Sequence, residues 1–209
     1  MTSGKIGLFI TLEGGEGSGK STQAQDLKEL LEAKGFTVTL TREPAGCPLG
    51  RRVRELLSDP SLRLDPRSEL FLFEAARAQH VADVIRPALE RGDIVICDRF
   101  SDSSVAYQGY GRGLRLDDVR LANSIATRGL VPDLTVFLNV PVETGLGRKA
   151  GEDAPDSIGQ EQAPFHERAR QGYLAMAAQE PNRFLVRDGM LAPEEITRTI
   201  WRWLEPLLT

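Results

Sequence analysis

The chain has 209 residues, 41% of them hydrophobic, and a formal charge of −4. That fits one globular domain over 1–209, and with no basic tract or basic aromatic stripe there is no case for nucleic-acid binding. The only two cysteines, Cys47 and Cys97, make neither a disulfide framework nor a zinc cluster, the apolar run near the start is too short for a secretory signal, and no segment reaches the roughly 18 apolar residues of a membrane span, so a cytoplasmic protein away from any membrane is expected.

In chain order, IGLFITLE (6–13) is apolar, rich in branched and aromatic residues, and stops at glycines, as a buried parallel strand does. Gly14, Gly15, Glu16, Gly17, Ser18, Gly19, Lys20 and Ser21 then complete the pattern GxxxxGK[ST]. Small residues let backbone N–H groups turn inward around a phosphate, and the positive end of the following helix adds to that field. Lys20 supplies a compact cation for the outer phosphates, and Ser21 a hydroxyl for Mg²⁺. Thr22 continues into a helix whose Ala24, Leu27 and Leu31 share one face and which Gly35 ends. The motif implies a nucleoside triphosphate but does not choose the reaction.

A second strand, FTVTL (36–40), stops at Pro44. One long helix is expected from Pro66 to about Arg86, closing near Pro87 and Gly92. DIVICD (93–98), DLTVFLNV (133–140) and RFLVR (183–187) read as the third, fourth and fifth strands, with helical segments between them. This alternation predicts a three-layer α/β/α domain around a five-stranded parallel sheet, with ligands outside the carboxyl ends of the strands. GEDAPDSIGQEQ (151–162) carries four acidic residues and no basic one, and is expected to be a mobile lid inserted at about 148–163. No NKxD, LSGGQ or paired acidic strand end points to a GTPase, a transporter ATPase or a hydrolytic motor, which leaves a kinase of a small acceptor.

FITLEGGEGSGKST (9–22), TREPAGCPLG (41–50), LFLFEAARAQH (70–80), DRFSDSSVAYQGYGRG (98–113) and PDLTVFLNV (132–140) occur in that order, and together they resemble the bacterial-type thymidylate kinase family. The resemblance implies a P-loop nucleoside monophosphate kinase fold and transfer of the γ-phosphoryl of ATP to dTMP with Mg²⁺, toward dTTP. It also implies a homodimer, by analogy alone. Phe73 and Arg77 lie four apart on one helix face, where a ring and a guanidinium could stack on a base and bond its edge; the resemblance makes that base thymine. It places Arg42 and Arg99 on the dTMP phosphate, with Arg99 also on the phosphoryl in flight. Ser103, Ser104, Tyr107 and Gln108 fall around base and sugar, and Tyr107 crowds a ribose 2′-hydroxyl. Asp98 either holds Mg²⁺ or pairs with Lys20. Glu16 faces the acceptor and its arginine neighbours, and Glu13 orients basic groups from behind.

The chain departs from the family where a second catalytic arginine is expected. Some relatives carry it in the loop at the position of Gly17; others carry it in the lid, where Asp156 and Ser157 stand here. Arg148 or Lys149 could take over, Arg168 and Arg170 less readily, and Arg148 could instead stack on adenine. A kinase of another nucleotide or nucleoside, or a binding protein that has lost catalysis, remains the alternative. The acceptor is an ionised phosphate, so no general base is needed, and His80 and His166 are expected to be structural or surface residues.

Overall fold

The computed structural model describes residues 7–149, 158–159 and 161–208. Five strands form one parallel sheet: β1 (Phe9–Gly14), β2 (Val38–Arg42), β3 (Ile94–Asp98), β4 (Leu134–Asn139) and β5 (Phe184–Asp188), in the order β2-β3-β1-β4-β5. β1 is central and buried along its whole length, as its unbroken apolar run requires. The expected architecture is therefore the observed one, in both strand content and direction.

The period of two along β1 sends its residues to different layers. Ile10 and Leu12 pack on α1 (Lys20–Ala33), through Ala24, Leu27 and Leu31, and on α9 (Pro193–Leu208), through Ile196, Ile200 and Leu204. Phe9, Thr11 and Glu13 face the other way. On that side lie α5 (Ser101–Ser104), a π-helical stretch over Val105–Gly111, and α8 (Ala163–Gln179). There Phe137 of β4 stacks on Tyr173 of α8 with ring centroids 4.8 Å apart. The same alternation in β3 turns Asp98 toward α1 and leaves Arg99, just past the strand, on the opposite side.

The helix expected to run from Pro66 to Arg86 is three pieces. α3 (Pro66–His80) gives way to a π turn over Val81–Ile85, and α4 (Arg86–Glu90) carries the chain on past Pro87. Pro87 has no N–H and its ring crowds the preceding turn; widening that turn, so that Arg86 N–H reaches back to Val81 O, lets the helix continue where a break was expected. α2 (Pro48–Leu57) packs on α3, α6 (Leu116–Thr127) flanks α3, and α7 (Val142–Lys149) follows β4. Asp156 and Ser157, and most of the expected lid, lie outside the described residues.

Candidate active site

The loop between β1 and α1 needs glycine for two distinct reasons. Gly19, at the helix N-cap, has φ +89, in the left-handed region. Gly17 has φ +61, and a Cβ there would sit 2.1 Å from the Gly145 carbonyl oxygen of α7. The loop and α7 approach so closely that a side chain at position 17 has nowhere to go. Lys20 Nζ folds back onto Gly15 O at 2.7 Å and Ser18 Oγ at 3.2 Å. Burial and the nearby Arg99 push its pKa down to about 8, against the opposing pull of Asp98, Glu16 and Glu13.

Ser21 Oγ donates to Asp98 Oδ2 at 2.7 Å. The two residues expected to serve Mg²⁺ are thus side by side, a hydroxyl and a carboxylate at the mouth of the loop. The alternative pairing of Asp98 with Lys20 is not the hydrogen bond observed. Among the described residues no group of three or more His, Cys, Asp or Glu side chains could hold a metal alone. Mg²⁺ commonly takes one or two protein ligands and completes its shell with phosphates and water, so this donor set fits it.

Arg99 is the junction of the site. It has φ +70, rare for a side chain of its size, and its amide N–H is held by Leu12 O at 3.0 Å. Its Nη2 donates to Glu16 Oε1 at 2.9 Å, and its Nη1 to Gly14 O at 3.0 Å and Tyr107 Oη at 3.2 Å. Behind it Glu13 is fully buried. It accepts from Phe100 N at 2.8 Å, Ser103 Oγ at 2.6 Å and Tyr173 Oη at 2.7 Å. Burial and the neighbouring Asp102 raise its pKa to about 7, while Ser103, Arg99 and Tyr173 pull the other way. Glu16 lines the cleft and pairs with Arg99; Glu13 lies behind, and its hydrogen-bond partners are a backbone amide and two hydroxyls rather than the basic groups it was expected to orient.

The side of the cleft expected to take a base is organised by buried charge. Arg77 is 1% exposed. Its Nε donates to Glu43 at 2.8 Å, and its Nη1 to Glu74, to Ser104 Oγ at 3.0 Å and to Asn123 Oδ1 at 2.9 Å; its Nη2 donates to Phe100 O at 3.2 Å. One Nη2 hydrogen is left over from that set. Gln108 is oriented by Glu69, which accepts from its Nε2 at 2.9 Å. Glu43 also lies 3.2 Å from His80 Nδ1, and His80 Nε2 is 2.7 Å from Thr41 Oγ1, so His80 is structural, as expected.

Apart from Glu13 and His80, which lie behind it, these parts meet at one cleft of about 470 Å³. It is lined on the loop side by Glu16, Gly17, Ser18, Gly19, Lys20, Ser21 and Thr22. Across from them stand Arg42, Phe73, Arg77, Asp98, Arg99, Ser103, Ser104, Tyr107, Gln108 and Arg148. Gly14 and Gly15 underlie it through their carbonyls. The volume is that of a small-molecule site. A family model described as thymidylate kinase matches residues 12–200, about nine-tenths of the chain. The chain belongs to the thymidylate kinase family. It is 51% identical over 195 residues to a thymidylate kinase of Deinococcus radiodurans, covering 93% of this chain and 95% of that one. It is 52% identical over 198 residues to one of Desulfovibrio desulfuricans, covering 90% and 91%. A crystal structure of thymidylate kinase from Ehrlichia chaffeensis superposes with a TM-score of 0.77 at 35% identity, covering 95% of this chain and 98% of that one.

Within that family setting, the described arginines at and just beyond the edges of the expected lid have definite places. Arg148 is exposed and donates to Gly17 O at 3.4 Å, Gly189 O at 3.2 Å and Met190 Sδ at 3.4 Å, between the loop and the turn after β5. Arg168 is bound to Gly111 O at 2.8 Å, and Arg170 to Asn139 Oδ1 at 2.7 Å. Several contributors were not singled out from sequence. Glu43, Asp102 and Arg54 lie inside or just after quoted motifs; Arg54 of α2 is exposed on the cleft. Tyr173, Asn123 and Arg183 carried no local signal at all. Arg183 donates to Asp102 at 2.7 Å and 3.0 Å and to Thr135 Oγ1 at 2.8 Å, closing the polar column behind Glu13.

Proposed function

We propose that this chain is a dTMP kinase: it transfers the γ-phosphoryl of ATP to the phosphate of dTMP, giving dTDP for dTTP synthesis. The observation that carries the reading is the single cleft in which Lys20 and the Ser21–Asp98 pair stand on one side and Arg99, Phe73, Arg77 and Gln108 on the other, in a chain of this family. The donor triphosphate lies over the loop of Gly14 to Thr22, with Lys20 on its outer phosphates and Arg148 beside its base. Ser21 and Asp98 would hold Mg²⁺, which when bound would supply neutralisation of charge on the phosphates. dTMP sits opposite, with its base against Phe73, Arg77, Ser104 and Gln108, its sugar by Tyr107 and Ser103, and its phosphate between Arg42 and Arg99.

The free Nη2 hydrogen of Arg77 suits a ring carbonyl, and the amide of Gln108, fixed by Glu69, suits the adjoining ring edge. Catalysis consists of in-line positioning and charge neutralisation by Lys20 and Arg99, with Glu16 fixing Arg99 and Glu13 the backbone behind it. The chain acts as one domain with a lid at about 148–163 that excludes water. It acts as a homodimer, for which exposed Phe71 of α3 and Leu121 and Ile125 of α6 offer an apolar surface. Its two free, buried thiols suit the reducing cytoplasm.

The test is turnover with dTMP, dUMP, dCMP, dAMP and thymidine under saturating ATP and Mg²⁺. Preference for any acceptor but dTMP overturns the substrate. Formation of dTDP no faster than by a Lys20→Ala control would favour the second reading, a nucleotide-binding protein without catalysis, which rests on the absence of a cation from residues 151–162.

A further inference from the structure

Gln108 is buried in the π-helical stretch over Val105–Gly111 and lines the cleft. Its Nε2 donates to Glu69 Oε1 at 2.9 Å. Glu69 is itself buried, in the first turn of α3, and Arg112 grips it with a planar fork, Nε to Oε1 at 3.2 Å and Nη2 to Oε2 at 2.8 Å. The Arg112 guanidinium lies over the Phe165 ring, 4.7 Å from its centroid, and its Nη1 donates to Glu161, inside the expected lid.

This brace decides which way round the Gln108 amide stands. A carboxylate held by a guanidinium accepts hydrogen bonds and gives none. Gln108 must therefore turn its NH₂ group toward Glu69, since the flipped amide would set its carbonyl oxygen against a carboxylate oxygen. The amide is planar, so Oε1 stands on the other side, and Oε1 can only accept. Thymine and uracil carry a donor, N3–H, beside their O4 carbonyl. Cytosine has a bare N3 at that place, and would meet Oε1 lone pair against lone pair. A site with a fixed, buried polar group rejects a base that leaves the group unpaired.

We propose that Glu69, braced by Arg112, is a specificity-determining residue: by fixing the orientation of the Gln108 amide it makes the cleft take a pyrimidine with an N3–H and reject cytosine. Glu69 acts through Gln108 and is a positioning residue. The device reads one ring edge and is blind to the 5-methyl group. The inference rests on the reading of the cleft as a dTMP site, and its test is by binding, so that turnover does not enter it.

Calorimetry of the full-length protein with dTMP, dUMP and dCMP supplies the dissociation constants. Glu69→Gln keeps the side chain's shape but can donate as well as accept, which frees the Gln108 amide to flip. The ratio of the dCMP constant to the dTMP constant should then fall about tenfold, the worth of one hydrogen bond and its mismatch. The ratio of dUMP to dTMP should stay within about twofold of wild type, because both bases keep the N3–H. An unchanged dCMP ratio in the variant overturns the proposal and leaves the dTMP reading standing. A fall in both ratios also overturns it, for the pocket would merely have loosened. A wild type that does not prefer dTMP to dCMP overturns the proposal and the dTMP reading together. If Glu69→Gln fails to fold, a wild-type crystal structure with dTMP decides. Ring N3 within hydrogen-bond distance of the Gln108 amide, whose other end stays on Glu69, supports the proposal; an amide that meets a ring carbonyl instead, or that leaves Glu69, ends it.

Discussion

Placing an arginine at position 17 should damage the loop rather than supply the missing cation. Relatives that carry an arginine there make the substitution tempting, since the described residues put no cation of α8 on the cleft. The geometry forbids it. Gly17 has φ +61, and its Cβ would lie 2.1 Å from Gly145 O and 3.2 Å from the Cβ of Arg148. A side chain in the left-handed region costs about 1–2 kcal/mol. Forcing apart two packed backbone segments costs about 1–3 kcal/mol more. A total near 3 kcal/mol, at about 2–4 °C per kcal/mol for a chain of this length, lowers Tm by about 6–12 °C. Gly17→Ala should lose nearly as much as Gly17→Arg, because the clash begins at Cβ. Thermal melts of both variants, with turnover measured at a temperature where each is folded, provide the check. A Gly17→Arg protein that melts with wild type and turns over faster would refute the reasoning, since it would mean that α7 yields at little cost.

Other outcomes follow from the same contacts. Arg77→Ala should raise the Michaelis constant for dTMP and also destabilise the fold by about 3–5 kcal/mol, because it strands Glu43 and Glu74 in the interior; equilibrium urea denaturation measures this, and unchanged stability would contradict it. Lys20→Ala should cut kcat at least about 100-fold with little change in dTMP affinity. In the wild type, ATP affinity should weaken as pH rises through about 8, where free Lys20 loses its proton; isothermal titration across pH tests both the affinity and the proton uptake on binding. Glu13 has a pKa raised to about 7 from its ordinary value of 4.5, so between those limits the folded state binds the extra proton and stability should rise as pH falls. Glu13→Gln should remove that slope from a plot of Tm against pH, and a slope unchanged in the variant would show that another group is responsible.

The sheet and the phosphate loop were legible because both are local signals. A strand's apolar run and a loop's glycine spacing are complete within about a dozen residues, and the parallel sheet follows from their alternation with helices. Across the cleft, Phe73, Arg77 and Gln108 were legible as candidates and no further. That Arg77 is enclosed by Glu43, Glu74 and Asn123 depends on three elements meeting, and no spacing along the chain announces it. Tyr173 lies 160 positions from Glu13 yet donates to it at 2.7 Å. The long helix does run out just before Gly92, one of its two expected stops, but it passes the other, because a π turn absorbs the proline that ordinarily ends a helix.

Two carboxylates beside a loop that binds anions look misplaced until the cations are considered without their ligands. Lys20 and Arg99 must both stay charged and aimed at one small volume, where they repel each other; Arg99 is among the causes that lower the pKa of Lys20, and Asp98, Glu16 and Glu13 all act to raise it. Glu16 holds the Arg99 guanidinium, while Glu13, facing inward, fixes the Phe100 amide and the Ser103 hydroxyl from which that arginine's turn is built. The acidic groups therefore keep the cations charged and in place before any phosphate arrives, which is preorganisation: the reorientation cost is met during folding and not during phosphoryl transfer. On this argument removing Glu16 should harm turnover by freeing Arg99, even though a negative charge has been taken away from a site that receives negatively charged substrates.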